Sequence, residues 1–120
     1  HMKAKMLITF LGFFWCLFVT HAQVNLSDYN VSFDGTGATT NHNGFQQAID
    51  DAHTQNTSVL VPPGQIILSD GLIVPSNMVI NGSGIAATKI IFDASFSGNV
   101  FEGTNFSINS MEIFNTRNIN

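Results

Sequence analysis

Cysteine, positive charge and long apolar runs are what this 120-residue sequence has least of. The single cysteine, Cys16, lies near the amino terminus, so nothing after it can form a disulfide or a thiolate metal site. Lysine and arginine together number 4 against 8 acids. Beyond residue 22 only Lys89 and Arg117 remain, for a formal charge of −6 over residues 23–120. Two cations cannot neutralise a run of phosphates, which excludes nucleic acid as a partner. An acidic chain also gains nothing from an anionic membrane surface. The length is that of one modest domain or part of a larger one.

The one long uncharged stretch sits at the start. Lys3 and Lys5 precede residues 6–20, which carry no charge and include Phe10, Phe13, Phe14, Trp15 and Phe18. A helix of that length falls short of the roughly 20 residues a bilayer span needs. Thr20-His21-Ala22 then puts small residues at the −3 and −1 positions of a cleavage site before Gln23. Residues 1–22 therefore read as an export signal, with His1-Met2 as a two-residue scar or a frame read slightly upstream. Trp15 before Cys16 argues against a lipoprotein, and no stable membrane span is expected after cleavage. The expected address is extracellular or periplasmic.

Residues 23–40 are polar and turn-rich, with Asp34-Gly35-Thr36-Gly37 at their centre. Over residues 44–55 the pattern predicts a helix, since Phe45, Ala48, Ile49 and Ala52 fall on one stripe. Asn41 or Asn43 suits its N-cap. Asp50 and Asp51 lie on other faces and read as solvated. His53 is placed to complement the helix C-terminus. After Asn56 the texture changes to short apolar runs, among them Val59-Leu60-Val61, Ile66-Ile67-Leu68, Met78-Val79-Ile80 and Lys89-Ile90-Ile91-Phe92. Separators such as Pro62-Pro63-Gly64, Asn81-Gly82-Ser83-Gly84 and Ser97-Gly98-Asn99 bound them. These are strand signals, and one helix followed only by strands is not a βαβ alternation. An internal repeat aligns Asn77-Met78-Val79-Ile80-Asn81-Gly82 with Asn105-Phe106-Ser107-Ile108-Asn109-Ser110, 28 residues on. If the two stack, Asn81 lies over Asn109 and their amides can bond at the strand spacing of ~4.8 Å.

Three stretches in order resemble the opening of the pectate-lyase-like right-handed parallel β-helix superfamily, which includes polygalacturonases, rhamnogalacturonan-acting enzymes and phage tailspikes. They are Asp34-Gly35-Thr36-Gly37-Ala38-Thr39 leading into Phe45-Gln46-Gln47-Ala48-Ile49-Asp50, then Ser58-Val59-Leu60-Val61-Pro62-Pro63-Gly64, and finally residues 72–84. The resemblance covers residues 28–93. One departure is Thr40-Asn41-His42, where the family usually carries two acids and a threonine. It implies a mainly β fold, a right-handed parallel β-helix with an N-terminal capping α-helix. Residues 23–57 would then form the leading loop and capping helix, and residues 58–120 the first coils of a truncated solenoid. An N-terminal fragment is expected, with catalytic coils beyond Asn120.

By resemblance, the implied activity is that of a polysaccharide lyase or glycoside hydrolase acting on a pectin-like or other uronic-acid polymer. Lyases of the superfamily use Asp-bound calcium with an Arg or Lys base, and its hydrolases use clustered Asp. Neither set can be matched here residue by residue. The alternative is a non-catalytic adhesin or spike-like β-helix, and fold alone does not choose. Beyond the leader there is one tyrosine, Tyr29, and no tryptophan, which disfavours carbohydrate binding in this stretch. A third reading is a β-sandwich with Asn81-Gly82 as a hairpin turn.

Motif by motif the chemistry is sparse. Glu112 is the one acid singled out as a candidate catalytic residue, pointing out of the sheet if Met111 and Ile113 point in, with Arg117 near in sequence. Asp34 and Asp70 sit in turns, and Lys89 reads as an edge charge. His42 and His53 would stand ~16 Å apart on a helix, too far for one metal. Gly82-Ser83-Gly84 is a bend with no helix behind it to hold a phosphate. Asn25, Asn30, Asn56, Asn81 and Asn105 open N-x-S/T triplets, which matter only in a glycosylating host. No cofactor or metal site is visible, calcium being only what the resemblance implies for a full-length member.

Overall fold

A computed structural model describes residues 22–93 and 100–115. The export-signal reading (Ala22 excepted), the Ser97-Gly98-Asn99 separator and Arg117 lie outside these residues. The described chain is mainly β with one α-helix. A two-residue strand β1 (Val24–Asn25) and a single 3-10 turn (Leu26–Asp28) lead into helix α1 (Ala38–Thr54). Eight strands follow: β2 (Val59–Leu60), β3 (Gly64–Leu68), β4 (Leu72–Ile73), β5 (Val79–Asn81), β6 (Thr88–Phe92), β7 (Phe101–Glu102), β8 (Ser107–Asn109) and β9 (Glu112–Asn115).

The helix begins six residues before the expected start at Gly44, at Ala38, with Gly37 as its N-cap at φ 81° and no side-chain cap. Asn41 is therefore not a cap. It continues the inward stripe one turn before Phe45, and its polarity hid that from a hydrophobic pattern. Asn41 is buried with Gly44, Phe45, Ala48, Ile49 and Ala52. The glycine within the helix has a packing reason, since a Cβ at Gly44 would stand 2.8 Å from the Asn30 carbonyl oxygen. The lead-in segment at Asn30 crosses the helix there at backbone distance.

Every strand pair is parallel. One sheet runs β1-β2-β5-β8, a second β3-β6-β9 and a third β4-β7. From β2 onward the chain visits the three sheets in the same order on each pass. Parallel neighbours cannot be joined by a tight hairpin, so the β-sandwich reading is overturned. Asn81 ends β5 and pairs in parallel with Asn109.

Because strand side chains alternate, each sheet sends every second residue inward, and register stacks these into columns. Val24, Val59, Ile80 and Ile108 form one column, and Ile66, Ile90 and Ile113 another. Leu68 pairs with Phe92 and Leu72 with Phe101. Phe92 and Phe101 meet edge to face at 6.1 Å and 82°. Val59, Ile66, Leu68, Leu72, Ile80, Ile90 and Phe92 are fully buried. Each contributes about 1.5–3 kcal/mol over an exposed position.

The turns stack as well. Asn77 and Asn105 both adopt the left-handed conformation, at φ 66° and 57°, which asparagine tolerates better than most residues. The Asn105 amide donates to Asn77 Oδ1 at 2.7 Å, and that of Asn109 to Asn81 Oδ1 at 3.0 Å. The expected seat of Asn109 over Asn81 is thus found. Gly82 lies directly against the next pass, where a Cβ would come within 2.9 Å of Met111 Cβ.

Candidate functional site

The polar residues that carry chemistry divide between two places, the helix seam and the outer face of the second sheet. At the seam, the first pass would leave strand-edge peptide groups bare, and α1 supplies partners from its side chains. Asn41 accepts from Ser32 N at 2.7 Å and donates to the carbonyls of Thr36 and Ile67 at 2.8 and 2.9 Å. His42 Nε2–H donates to the Gly71 carbonyl at 2.9 Å. Gln46 uses both ends of its amide on one residue, accepting from Ile73 N and donating to Ile73 O, each at 2.9 Å. The amide stands in for a strand neighbour beside β4. Asp34 and Gln65 add an isolated parallel bridge along β3. The seam is structural, and sequence reasoning missed Gln46 altogether. Its signal would have been a polar residue flanking the helix stripe and facing a short apolar run.

The acids near the helix are engaged locally. Asp51, expected to be solvated, is half-buried and accepts from the Tyr29 hydroxyl at 2.6 Å and from Gln47 Nε2 at 2.9 Å. Burial first, then the Asp51 hydrogen bond and charge, push the Tyr29 phenol up to about 12. The exposed Asp50 accepts from Gln46 at 3.2 Å. Asp34 holds the Thr36 hydroxyl and N–H at 2.6 and 3.1 Å, which draws its carboxyl below the usual range. Asp70 accepts from Gly71 N at 2.8 Å, as a turn aspartate does. His53 lies in the last helical turn. In the Gly82-Ser83-Gly84 bend, Ser83 N donates to the Thr88 hydroxyl at 2.9 Å, and the Ser83 hydroxyl donates to the Val61 carbonyl at 2.8 Å.

Glu112 opens β9 on the second sheet. Its parallel partner is Lys89, whose own partner is Gln65. Lys89 is not an edge charge: it is the second residue of β6, the central strand. Thr88, Ile90 and Phe92 are buried while Lys89 and Ile91 are partly exposed, so the latter two face outward. Gln65, Lys89 and Glu112 thus form an outward polar column at the strand spacing of ~4.8 Å. Beside it runs the half-buried apolar column Ile67, Ile91 and Phe114. An ammonium, a carboxylate and an amide next to an aliphatic strip can take hydroxyls, a carboxylate and the C–H face of a sugar ring. They do not converge as an acid–base pair.

Calcium needs 6–8 oxygens from gathered carboxylates and carbonyls. Among the described residues no three His, Cys, Asp or Glu side chains come together, so these residues do not fit such a site. Among them, too, no helix is long and apolar enough to cross a membrane.

One family model matches residues 23–120, and its description is rhamnogalacturonase A/epimerase, pectate lyase-like. Comparison with curated proteins and with solved structures gives no match.

Proposed function

The chain belongs to the rhamnogalacturonase A/epimerase, pectate lyase-like family, and from that premise we propose that it is the exported N-terminal part of a protein acting on an acidic, pectin-like polysaccharide by lysis or hydrolysis. In this reading residues 1–22 are the leader, residues 23–57 the leading loop and capping helix, and residues 58–120 the first coils of a right-handed parallel β-helix. Parallel crossovers are right-handed in nearly all sheets, which supplies the hand. The catalytic groups lie on coils other than the described ones. What these residues contribute, with the strip Ile67–Ile91–Phe114 in place of the missing Trp and Tyr platforms, is a stretch of polymer-binding surface.

The observation that carries the reading is the outer polar column Gln65–Lys89–Glu112 beside Ile67–Ile91–Phe114. Its cation suits a uronate carboxylate, and its flat face suits an extended chain. Binding without turnover is therefore the expected behaviour of this stretch. Calorimetric titration with acidic and neutral oligosaccharides of equal length tests it. The acidic oligomer should bind more tightly, and the difference should shrink with added salt. Lys89→Met should weaken binding by about three- to fivefold, the scale of an exposed ion pair, while Glu112→Gln should strengthen it by removing repulsion. Equal affinity for both oligomers, or the same direction of change in both variants, would sink the reading.

A further inference from the structure

The first described residues adjoin a cleavage point where the chain's own atoms can react. Cleavage after Ala22 makes Gln23 the amino terminus, bringing an amine within five-membered-ring reach of a carboxamide carbon. Ala22 and Gln23 are exposed, whereas Val24 is buried and its N–H donates to the Ser58 carbonyl at 2.9 Å. The strand is anchored one residue in, so the new terminus is held at the surface. There Gln23 borders an open cavity of about 450 Å³ together with Asn25, Asp28, Tyr29 and Gln55. Solvent or a cyclase can reach it without unfolding β1.

We propose that Gln23 is a modification site, closing to pyroglutamate once the leader is removed; the proposal rests on the export reading above. The neutral α-amine attacks the side-chain Cδ, a bond forms between that nitrogen and Cδ, and the bond from Cδ to Nε2 breaks. Nε2 leaves as ammonia, carrying a proton from the amine. No oxidant, reductant or co-reactant is consumed. An α-amine titrates near pH 7.7–8.0, so roughly a tenth of it is the neutral nucleophile at pH 7. Holding amine and amide in one residue supplies the high effective concentration of an intramolecular reaction. The bond that Gln23 Nε2 donates to Ser58 Oγ, at 2.8 Å, is lost with the departing nitrogen.

The product has no terminal amine and resists aminopeptidases. That protection has a structural use. β1 is two residues long and, among the described residues, pairs with β2 alone, so trimming past Gln23 would strip it and bare a strand edge.

The test is to secrete the full chain with its own leader, incubate it at neutral pH, and read the N-terminal peptide by mass spectrometry and amine labelling. The expected peptide begins at position 23, is lighter than free glutamine by one ammonia, and does not label. Gln23→Asn, whose ring would have four members, should keep its amine and be trimmed by aminopeptidase. A free Gln23 that persists overturns the modification and leaves export standing. A terminus at another residue overturns both the cleavage point and the modification. Retention of residues 1–22 overturns the export reading with them.

Discussion

A single hydrogen bond shows what folding does to one residue's chemistry. Tyr29, the sole tyrosine, donates to Asp51 across 22 positions at 2.6 Å, and its phenol is pushed up to about 12. Burial disfavours the phenolate first, and ionisation would also set it against a carboxylate, so the fold favours the neutral form. The raised value means this contribution is fully present below pH ~10, the unfolded value, and is lost as pH rises through about 12. Ultraviolet titration of the folded protein should show the phenolate appearing near pH 12, and near pH ~10 in denaturant. Tyr29→Phe should remove the alkaline loss and cost about 1 kcal/mol at neutral pH. A folded midpoint near the ordinary value would mean the Asp51 contact is absent in solution. None of this was legible beforehand, because Asp51 sits off the apolar stripe and its partner lies outside the helix. The turn aspartates Asp34 and Asp70 were legible, because their partners are within two residues in sequence.

At the scale of the element, the helix carries the most information. Its apolar stripe said that it covers something, and Phe45, Ala48, Ile49 and Ala52 are indeed buried. Its start was misplaced because Asn41 occupies a core position with a polar side chain. The pattern could show that something is covered, but not that backbone groups need partners, since that need arises only when β3 and β4 lie alongside. Gln46 meets it with two 2.9 Å bonds to Ile73. Gln46→Leu keeps the bulk and removes both, and should lower stability by about 1–2 kcal/mol in urea unfolding. Gln46→Glu keeps the acceptor for Ile73 N but turns an anionic oxygen on the Ile73 carbonyl and on Asp50, so at neutral pH it should lose at least as much. If both variants unfold with the native protein, the seam is held by the apolar stripe alone.

Across the whole molecule, stability is distributed by column. Ile66, Ile90 and Ile113 share one, yet the first two are fully buried and Ile113 is 39% exposed. Ile90→Ala removes a methyl-rich plug held from both sides and should cost about 2–5 kcal/mol. Ile113→Ala in the same 120-residue chain should cost clearly less, because part of its surface is already in water. Equal losses would contradict the stacking order, and denaturant unfolding of both variants decides. The Asn77–Asn105 and Asn81–Asn109 stacks were readable because they lie at a common offset of 28. The isoleucine column was not, because its steps are unequal and no fixed period finds it. Glu112 was placed outward correctly on strand alternation, but its neighbour Lys89 depends on register, which sequence alone leaves open.

The same inequality shows at the corners. Residues 61–63, 82–87 and 110–111 all carry the chain from the first sheet to the second, at different lengths, and the columns still align. The molecule counts by register and not by residue, so corners of three, six and two residues serve the same step between layers. Each corner packs on its neighbours in its own way, as Gly82 and Ser83 do, and it is the strands between corners that hold the layers in step.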